Sequence, residues 1–208
     1  MYIIDLDGTL LNVWDRYYSV FNDFWRIPDL TLEKYKYFKK KYEFDDLIVK
    51  KMLGELDNDK FQEYKAFKRE SIESIKYLKL DELIIEKDVF KDFIEKNDLI
   101  ILTIRNNLEN LFWQVNFLGI NFVKDKIIAI ESKGMFTKKN WVEKNLEKNE
   151  KKIVIGDSET DLLVGELENT KVYLVESGLR DPYRIVNKFN IKCNIIPNVN
   201  YFLCSDIN

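Results

Sequence analysis

The N-terminal stretch Tyr2-Ile3-Ile4-Asp5-Leu6-Asp7-Gly8-Thr9-Leu10 decides the fold of this chain. Its apolar start predicts a short buried strand, and Gly8 predicts a sharp turn after it. Asp5 and Asp7 stand two positions apart, so in an extended chain both side chains point to one side, at the strand's C-terminal end. Ligand crevices lie at this edge of open parallel sheets. Two carboxylates held so close repel each other, so the pair indicates a bound metal, a proton held by one member, or both.

The composition describes an ordinary soluble globular protein. With 208 residues, the chain favours one domain with an insertion. The hydrophobic content of 46% is enough for a sizeable core, and the net charge of -3 gives no electrostatic case for binding nucleic acid or acidic membranes. The chain has no histidine, which excludes Ser-His-Asp triads, histidine general bases and histidine-ligated zinc.

Several features favour a cytoplasmic protein. The predicted first strand begins at residue 2 and leaves no room for a cleavable signal peptide, and no apolar run reaches membrane-spanning length. Cys193 and Cys204 could form at most one disulfide and have no metal-ligand spacing. A reducing cytoplasm is therefore the simpler interpretation.

Residues 13–81 predict a helical insertion. The segment is dense in aromatic and charged residues and predicts helices over residues 14–26, 31–42, 45–52 and 61–77, with Thr31 as an N-cap. In the last of these helices, one stripe recurs at helical spacing: Phe61, Tyr64, Phe67, Lys68, Ile72 and Ile75. We expect this block to form a cap that closes over the crevice, since helical insertions above a crevice often become lids.

After Asp98 the chain alternates strands with helices. Strands are predicted over residues 98–103, 127–130, 152–156, 172–175 and 193–196. Alternation of this kind requires crossover connections, which predicts an α/β fold: a Rossmann-like parallel sheet with helices on both faces, plus the helical cap insertion. The predicted domains are a core of residues 1–12 and 82–208 and a cap of residues 13–81.

Further polar residues stand where these strands end. Thr103 closes one strand, and Arg105 follows it just before a predicted helix. The stretch Gly156-Asp157-Ser158-Glu159-Thr160-Asp161 closes another, with its second aspartate on the opening turn of a helix. Because the C-terminal ends of parallel strands share one crevice, we expect these residues to meet Asp5 and Asp7 there.

Two of these motifs resemble those of a known family. Asp5-Leu6-Asp7-Gly8-Thr9 resembles the first signature motif of the haloacid dehalogenase (HAD) superfamily of phosphatases and phosphotransferases, and residues 156–161 resemble its fourth. Thr103 resembles the second motif. Residues 13–81 stand where the family carries a type 1 cap.

The resemblance implies a role for each matched residue. Asp5 would be the nucleophile that forms an aspartyl-phosphate, and Asp7 the general acid and base. Thr103 would hydrogen-bond the phosphoryl group. The third motif would supply a lysine from among Lys133, Lys138 and Lys139, of which Lys138 is preferred because it starts a helix.

Magnesium is the implied cofactor. Mg²⁺ prefers hard oxygen ligands and usually takes one or two protein carboxylates, keeping waters and substrate oxygens for the rest. Asp5, the backbone carbonyl of Asp7, and Asp157 would supply such a set. Asp161 would be a supporting or alternate ligand. The two N-terminal carboxylates should then have separated pKa values, with Asp5 ionised and Asp7 able to carry a proton.

The substrate contacts are less defined. Gly8, Thr9 and Arg105 are candidates. A guanidinium at position 105 could grip a carboxylate or a second phosphate of the substrate, although a surface or interdomain ion pair explains it equally well.

Together these features predict a Mg²⁺-dependent phosphatase that hydrolyses a small phosphorylated metabolite, such as a sugar, polyol or amino-alcohol phosphate. Two alternatives stay open: a phosphomutase or phosphotransferase of the same superfamily, and a non-catalytic binding module on this fold. A nucleotide-binding switch is disfavoured because the chain has no Gly-rich loop followed by Lys-Ser or Lys-Thr.

Overall fold

A six-stranded parallel sheet forms the centre of the protein, in a computed structural model that describes residues 1–204. Eight strands are present in this part of the chain: β1 (Tyr2–Ile4), β2 (Leu11–Asn12), β3 (Glu82–Leu83), β4 (Leu99–Ile104), β5 (Ile127–Ile130), β6 (Lys152–Gly156), β7 (Thr170–Val175) and β8 (Asn194–Ile196). The order across the main sheet is β5-β4-β1-β6-β7-β8, and every neighbouring pair is parallel. The predicted α/β architecture is confirmed.

Both faces of the sheet are buried, as its apolar strands require. Three helices cover one face: α6 (Lys87–Lys96), α7 (Leu108–Phe117) and α11 (Val199–Cys204). Three more cover the other: α8 (Thr137–Asn145), α9 (Glu159–Leu162) and α10 (Pro182–Phe189). In β1, Ile4 packs into the first layer and Ile3 into the second, because alternate residues of a strand point to opposite faces.

The remaining helices form the inserted cap. They are α1 (Trp14–Trp25), α2 (Leu32–Tyr42), α3 (Asp45–Leu53), α4 (Asn58–Ser71) and α5 (Ile75–Leu78). They pack around an apolar cluster of their own, in which Phe21, Tyr35 and Tyr64 are almost completely buried. Thr31 caps α2 as predicted, with its side chain accepting a hydrogen bond from the Lys34 backbone.

A two-stranded antiparallel sheet joins the cap to the core. The sequence did not predict it. Leu11 of β2 pairs with Leu83 of β3, and Asn12 pairs with Glu82, so the chain leaves the core and returns to it through adjacent segments. The predicted domain boundaries, 12/13 and 81/82, stand at the end of β2 and at the start of β3. Residues 205–208 of the predicted core lie outside the described part of the chain.

The predicted helix over residues 61–77 is wrong in its bounds. In the structure α4 starts earlier, at Asn58, because the Asp57 side chain accepts hydrogen bonds from the backbone of Asp59 and Lys60. It ends at Ser71, whose carbonyl accepts a hydrogen bond from the Ser74 backbone in a turn before α5. The apolar spacing from Tyr64 to Ile75 therefore runs across a break that periodicity alone does not show.

The described residues contain no helix with both the length and the apolar character needed to cross a bilayer. Cys193 and Cys204 are both free thiols.

Candidate active site

Three buried aspartates cluster at the C-terminal edge of the sheet. Asp5 follows β1 and Asp157 follows β6, which is the strand paired with β1. Asp161 lies on α9, and each of the three contributes a carboxylate oxygen to a group within 4.8 Å of one another. All are at most 6% exposed. Hard oxygen donors packed this tightly suit a divalent cation such as Mg²⁺, so the residues fit the implied metal.

Lys138 lies between two of these carboxylates. Its Nζ donates to Asp5 Oδ1 at 2.5 Å and to Asp161 Oδ1 at 2.6 Å, and the residue is 3% exposed. The other two candidate lysines lie elsewhere: Lys139 pairs with Glu166, and Lys133 is exposed. The structure therefore places Lys138, of the three, beside the predicted nucleophile.

Asp161 is held by its own helix as well. Its Oδ2 accepts hydrogen bonds from the Ser158 backbone at 3.1 Å and from the Ser158 hydroxyl at 2.6 Å, which forms a capping box at the start of α9. Since Lys138 occupies Oδ1, donors already contact both oxygens of Asp161. This arrangement suits a residue that orients the cluster better than one that binds a cation directly.

Glycines let the backbone approach Asp157 closely. Gly8 has a positive φ of 82°, and a Cβ there would lie 2.4 Å from Asp157 Oδ2. A Cβ at Gly178 would lie 2.2 Å from the same atom. The backbone of Leu179 donates a hydrogen bond to this oxygen at 3.0 Å. The Asp157 carboxylate is therefore fixed by backbone on two sides.

Gly8→Ala is expected to disable the site, because the new methyl group would displace the Asp157 carboxylate. Gly54→Ala is a matched control: Gly54 has nearly the same φ, 83°, but a Cβ there meets nothing within 4 Å. Both variants should lose about 1–2 kcal/mol of stability from backbone strain. Only Gly8→Ala should also lose cation binding and turnover, measured by thermal shift with added Mg²⁺ and by phosphate release. Equal activity in the two variants would contradict the role given to Gly8.

Asp7 belongs to a closed ring of five polar side chains. Its Oδ1 contacts Arg105 at 2.7 Å and its Oδ2 contacts Arg16 at 2.9 Å. Arg105 also donates to Gln114 Oε1 at 3.2 Å, and Gln114 Nε2 donates to Asp81 Oδ2 at 2.6 Å. Arg16 Nε lies 3.2 Å from Asp81 Oδ1, which closes the ring. The two arginines thus fix the direction of the second N-terminal carboxylate.

The protein's own side chains separate the pKa values of the two N-terminal carboxyls, in the direction opposite to that predicted for the metal-loaded site. Burial raises the pKa of Asp5 well above its usual range. The negative charges of Asp161 and Asp157 raise this pKa further, whereas the Lys138 ammonium lowers it. Burial also acts to raise the pKa of Asp7, but Arg105 and Arg16 outweigh it and lower this pKa to about 2. A cation beside Asp5 would favour its ionised form. The guanidiniums beside Asp7 are what the sequence did not predict.

Burial, with Asp161 nearby, raises the pKa of Asp157 to about 7. The acidic cluster thus carries more negative charge than its surroundings offset, and this is the electrostatic condition that favours binding of a cation.

A cavity of about 430 Å³ opens above the cluster, with the cap on its far side. Its walls include four of the residues predicted for catalysis: Asp5, Asp7, Lys138 and Thr103, the last buried near the end of β4; with the predicted metal ligand Asp157, five predicted site residues line it. Residues that the sequence did not single out as site residues complete the walls: Tyr17, Lys39, Lys68, Ile104, Ser132, Ser158, Glu159, Thr160, Leu179 and Arg180.

The three predicted substrate contacts do not line this cavity. Gly8 packs against Asp157, and the fully buried Thr9 hydroxyl has no hydrogen-bond partner among the residues that the structure describes. Arg105 makes a buried ion pair with Asp7 inside the core, whereas the alternative left open for it was a surface or interdomain ion pair. The geometry therefore gives no support to these residues as substrate contacts.

Helical spacing could have identified two of the missed residues. Arg16 lies four positions before Val20, on the buried face of α1, and is itself 1% exposed. Lys68 lies four positions after the buried Tyr64 and stood in the predicted apolar stripe. A charged residue on the buried face of a helix needs a partner there, which is a usable signal.

The fold has many relatives among solved structures. A haloacid dehalogenase-like family hydrolase from Streptococcus pneumoniae superposes with a TM-score of 0.70 at 15% identity, covering 97% of this chain and 95% of the other. A HAD family hydrolase from Deinococcus radiodurans, with bound phosphate and sodium, gives 0.62 at 11% identity over 96% and 92%. A predicted phosphoglycolate phosphatase from Haemophilus somnus gives 0.62 at 15% identity over 98% and 96%.

The sequence itself matches no protein-family model and no curated protein. At such low identity these superpositions concern the fold alone, and they cover nearly the full length of both chains, cap included. The chain has the fold of the haloacid dehalogenase-like hydrolases.

Proposed function

We propose that this protein is a Mg²⁺-dependent phosphatase that hydrolyses a small phosphate monoester through an aspartyl-phosphate on Asp5. One observation carries the proposal. The Asp5 carboxylate is buried beside a lysine ammonium and two further aspartates, and it opens onto a cavity of small-molecule size. The Streptococcus and Haemophilus relatives, named a hydrolase and a predicted phosphatase, fit this chemistry.

Asp5, Asp157 and the backbone carbonyl of Asp7 would hold the metal, with Asp161 orienting the group. When bound, Mg²⁺ would supply positive charge that offsets the phosphoryl oxygens and so lets an anionic nucleophile approach them. Lys138 adds a fixed ammonium to the same place, and the Thr103 hydroxyl offers a hydrogen bond.

The chemical steps fall to the two N-terminal aspartates. Asp5 attacks phosphorus, and the bond to the departing alcohol oxygen breaks as Asp7 gives that oxygen a proton. Asp7 then takes a proton from a water that attacks the aspartyl-phosphate, releasing phosphate and restoring Asp5. The arginine contacts keep Asp7 in the ionised form that this second step needs. For the first step Asp7 must hold a proton, taken from the water of the preceding turnover or from solvent, so the arginine contacts have to weaken when substrate enters.

Turnover should depend on the metal. Phosphate release from p-nitrophenyl phosphate and small metabolite phosphates is expected with Mg²⁺ and should stop with EDTA. Mg²⁺ should also raise the melting temperature, since a ligand at 100 times its Kd stabilises the native state by about 2.7 kcal/mol. Asp157→Asn should abolish this shift.

Three results would count against the proposal. Metal-independent turnover would contradict the mechanism, and the absence of turnover on any phosphate ester would favour a binding module. Phosphate transfer to an added alcohol in preference to water would identify a phosphotransferase.

A further inference from the structure

The cap contributes two lysines to the cavity wall, one from each of two helices. Lys39 of α2 is 5% exposed, and the Lys68 side chain of α4 is 27% exposed. Both converge on Asp45, the first residue of α3: Lys39 Nζ lies 2.5 Å from Oδ1, and Lys68 Nζ lies 2.6 Å from Oδ2. The Tyr64 hydroxyl also donates to Oδ2, at 2.7 Å. Two ammonium groups thus share one carboxylate.

This arrangement leaves both positive charge and free donors in the cavity wall. With two lysines and one aspartate, the cluster carries a net charge of +1. An ammonium has three N–H donors, and the hydrogen bonds that the described residues make to Lys39 and Lys68 involve only Asp45. Both lysines line the cavity that contains Asp5, so their remaining N–H groups can serve a bound molecule.

Asp45 offsets the cost of burying the Lys39 ammonium only in part. Burial lowers the pKa of Lys39 to about 8 even though Asp45 acts in the opposite direction. One lysine would neutralise Asp45 at a smaller desolvation cost than two, since each buried charge must leave water. A ligand that brings a second negative charge would pair with the extra ammonium.

The two walls of the cavity therefore favour different ends of one molecule. The core wall has the Asp5 nucleophile, the acidic cluster and Lys138, and takes the reacting phosphate. The cap wall has Lys39 and Lys68. We propose that these two lysines bind a second anionic group of the substrate, a carboxylate or another phosphate, joined to the reacting phosphate by a short chain.

The inference rests on the proposed phosphatase function and narrows its substrate class. An anion at this place accepts charge-assisted hydrogen bonds from two directions. An amino-alcohol phosphate would instead bring a third ammonium to a wall that is already positive. Neutral polyol and sugar phosphates would leave the extra ammonium unpaired. Phosphate esters that also carry a carboxylate or a second phosphate, with about four to eight heavy atoms beyond the first phosphate, fit a cavity at the small end of ligand pockets.

Matched substrates test the proposal on the wild-type protein. Phosphoglycolate, 2-hydroxyethyl phosphate and phosphoethanolamine differ mainly in their distal group, which is anionic, neutral and cationic in turn. With Mg²⁺ present, we expect kcat/KM for phosphoglycolate to exceed that for 2-hydroxyethyl phosphate by about 10-fold or more, with phosphoethanolamine lowest. The ratio of kcat/KM for propane-1,3-diol bisphosphate to that for propane-1,3-diol monophosphate tests whether a second phosphate can serve as the distal anionic group. If the neutral esters are turned over as fast as both anionic ones, or faster, the proposal is overturned.

Variants test whether the lysines cause the preference. In Lys68→Met the ratio of anionic to neutral kcat/KM should collapse toward one, mainly through a higher KM for the anionic ester. Lys68→Arg should restore part of the ratio. Lys65→Met removes an exposed charge from the same helix and should leave the ratio unchanged. An unchanged ratio in folded Lys68→Met overturns the assignment.

A binding measurement separates this inference from the proposed activity. Calorimetric titration with 3-phosphonopropionate and 3-hydroxypropylphosphonate, which cannot be hydrolysed, needs no turnover. The carboxylate compound should bind wild-type protein about 10-fold more tightly with Mg²⁺ present. Tighter binding of the carboxylate compound by a protein that shows no turnover would support the anion-binding lysines and reject the phosphatase function. Equal affinities for the two compounds, in a protein with normal turnover, would reject the anion-binding role of the lysines and support the phosphatase function.

Discussion

Asp5→Asn is expected to reduce the rate of phosphate release by about 10⁴-fold or more, the scale of loss seen when a covalent nucleophile is removed. Asparagine has nearly the same shape but cannot form the acyl phosphate. The fold should survive, because the substitution removes one of three carboxylates that repel one another in a buried cluster. Without metal, the variant should therefore be at least as stable as wild type in urea denaturation.

Two measurements make this result specific. Acid-quenched protein labelled with radioactive substrate should retain phosphate in wild type and not in Asp5→Asn. Asp92→Asn is the matched control, because Asp92 is exposed on α6 and pairs with Lys96; its turnover should stay within about twofold of wild type. Turnover at the wild-type rate in Asp5→Asn would reject Asp5 as the nucleophile.

Lys138→Met should have the largest combined effect on stability and activity. Methionine fills a similar volume but leaves Asp5 and Asp161 without the ammonium that both contact. Removing one partner of a buried ion pair costs about 3–5 kcal/mol, so the free energy of unfolding at pH 7 should fall by that amount. Turnover should fall as well, since the ammonium beside the nucleophile is gone.

The neighbouring lysine provides the control. Lys139 pairs with Glu166 near the surface, with side chains 22% and 39% exposed, so Lys139→Met should change stability by less than about 1 kcal/mol. Adding Asp161→Asn to Lys138→Met should recover part of the lost stability, because one unpaired carboxylate is removed. It should not recover turnover. A stable and active Lys138→Met protein would show that the ammonium has neither role.

Much of the fold follows from local patterns in the sequence. The parallel strands are apolar on both faces, and helices separate them, so periodicity alone indicates the architecture. The acidic cluster could also be predicted, because Asp5 and Asp157 end two strands that a parallel sheet brings side by side. Lys138 was the preferred lysine for its place at the start of a helix, and the structure puts it against Asp5.

The rest depends on contacts between segments far apart in the chain. Arg16, Asp81 and Gln114 have no local feature that shows which residues they contact, and their meeting in one ring with Asp7 and Arg105 requires the folded cap. For the same reason the sequence did not indicate the two guanidiniums that lower the pKa of Asp7. The lysines of the cap wall come from α2 and α4 and meet only through Asp45 of α3, which is not encoded in either helix alone.

The ring around Asp7 limits how far the cap can be treated as a module. Arg16 and Asp81 stand at the first and last turns of the insertion, whereas Arg105 and Gln114 belong to the core. A cap transplanted from another protein of this fold would bring new specificity residues but would also remove two of the five ring members. The Asp7 carboxylate would then lose one of its two guanidiniums. Exchange of caps in this chain would therefore alter the chemistry as well as the choice of substrate, unless the junction residues 16 and 81 were retained.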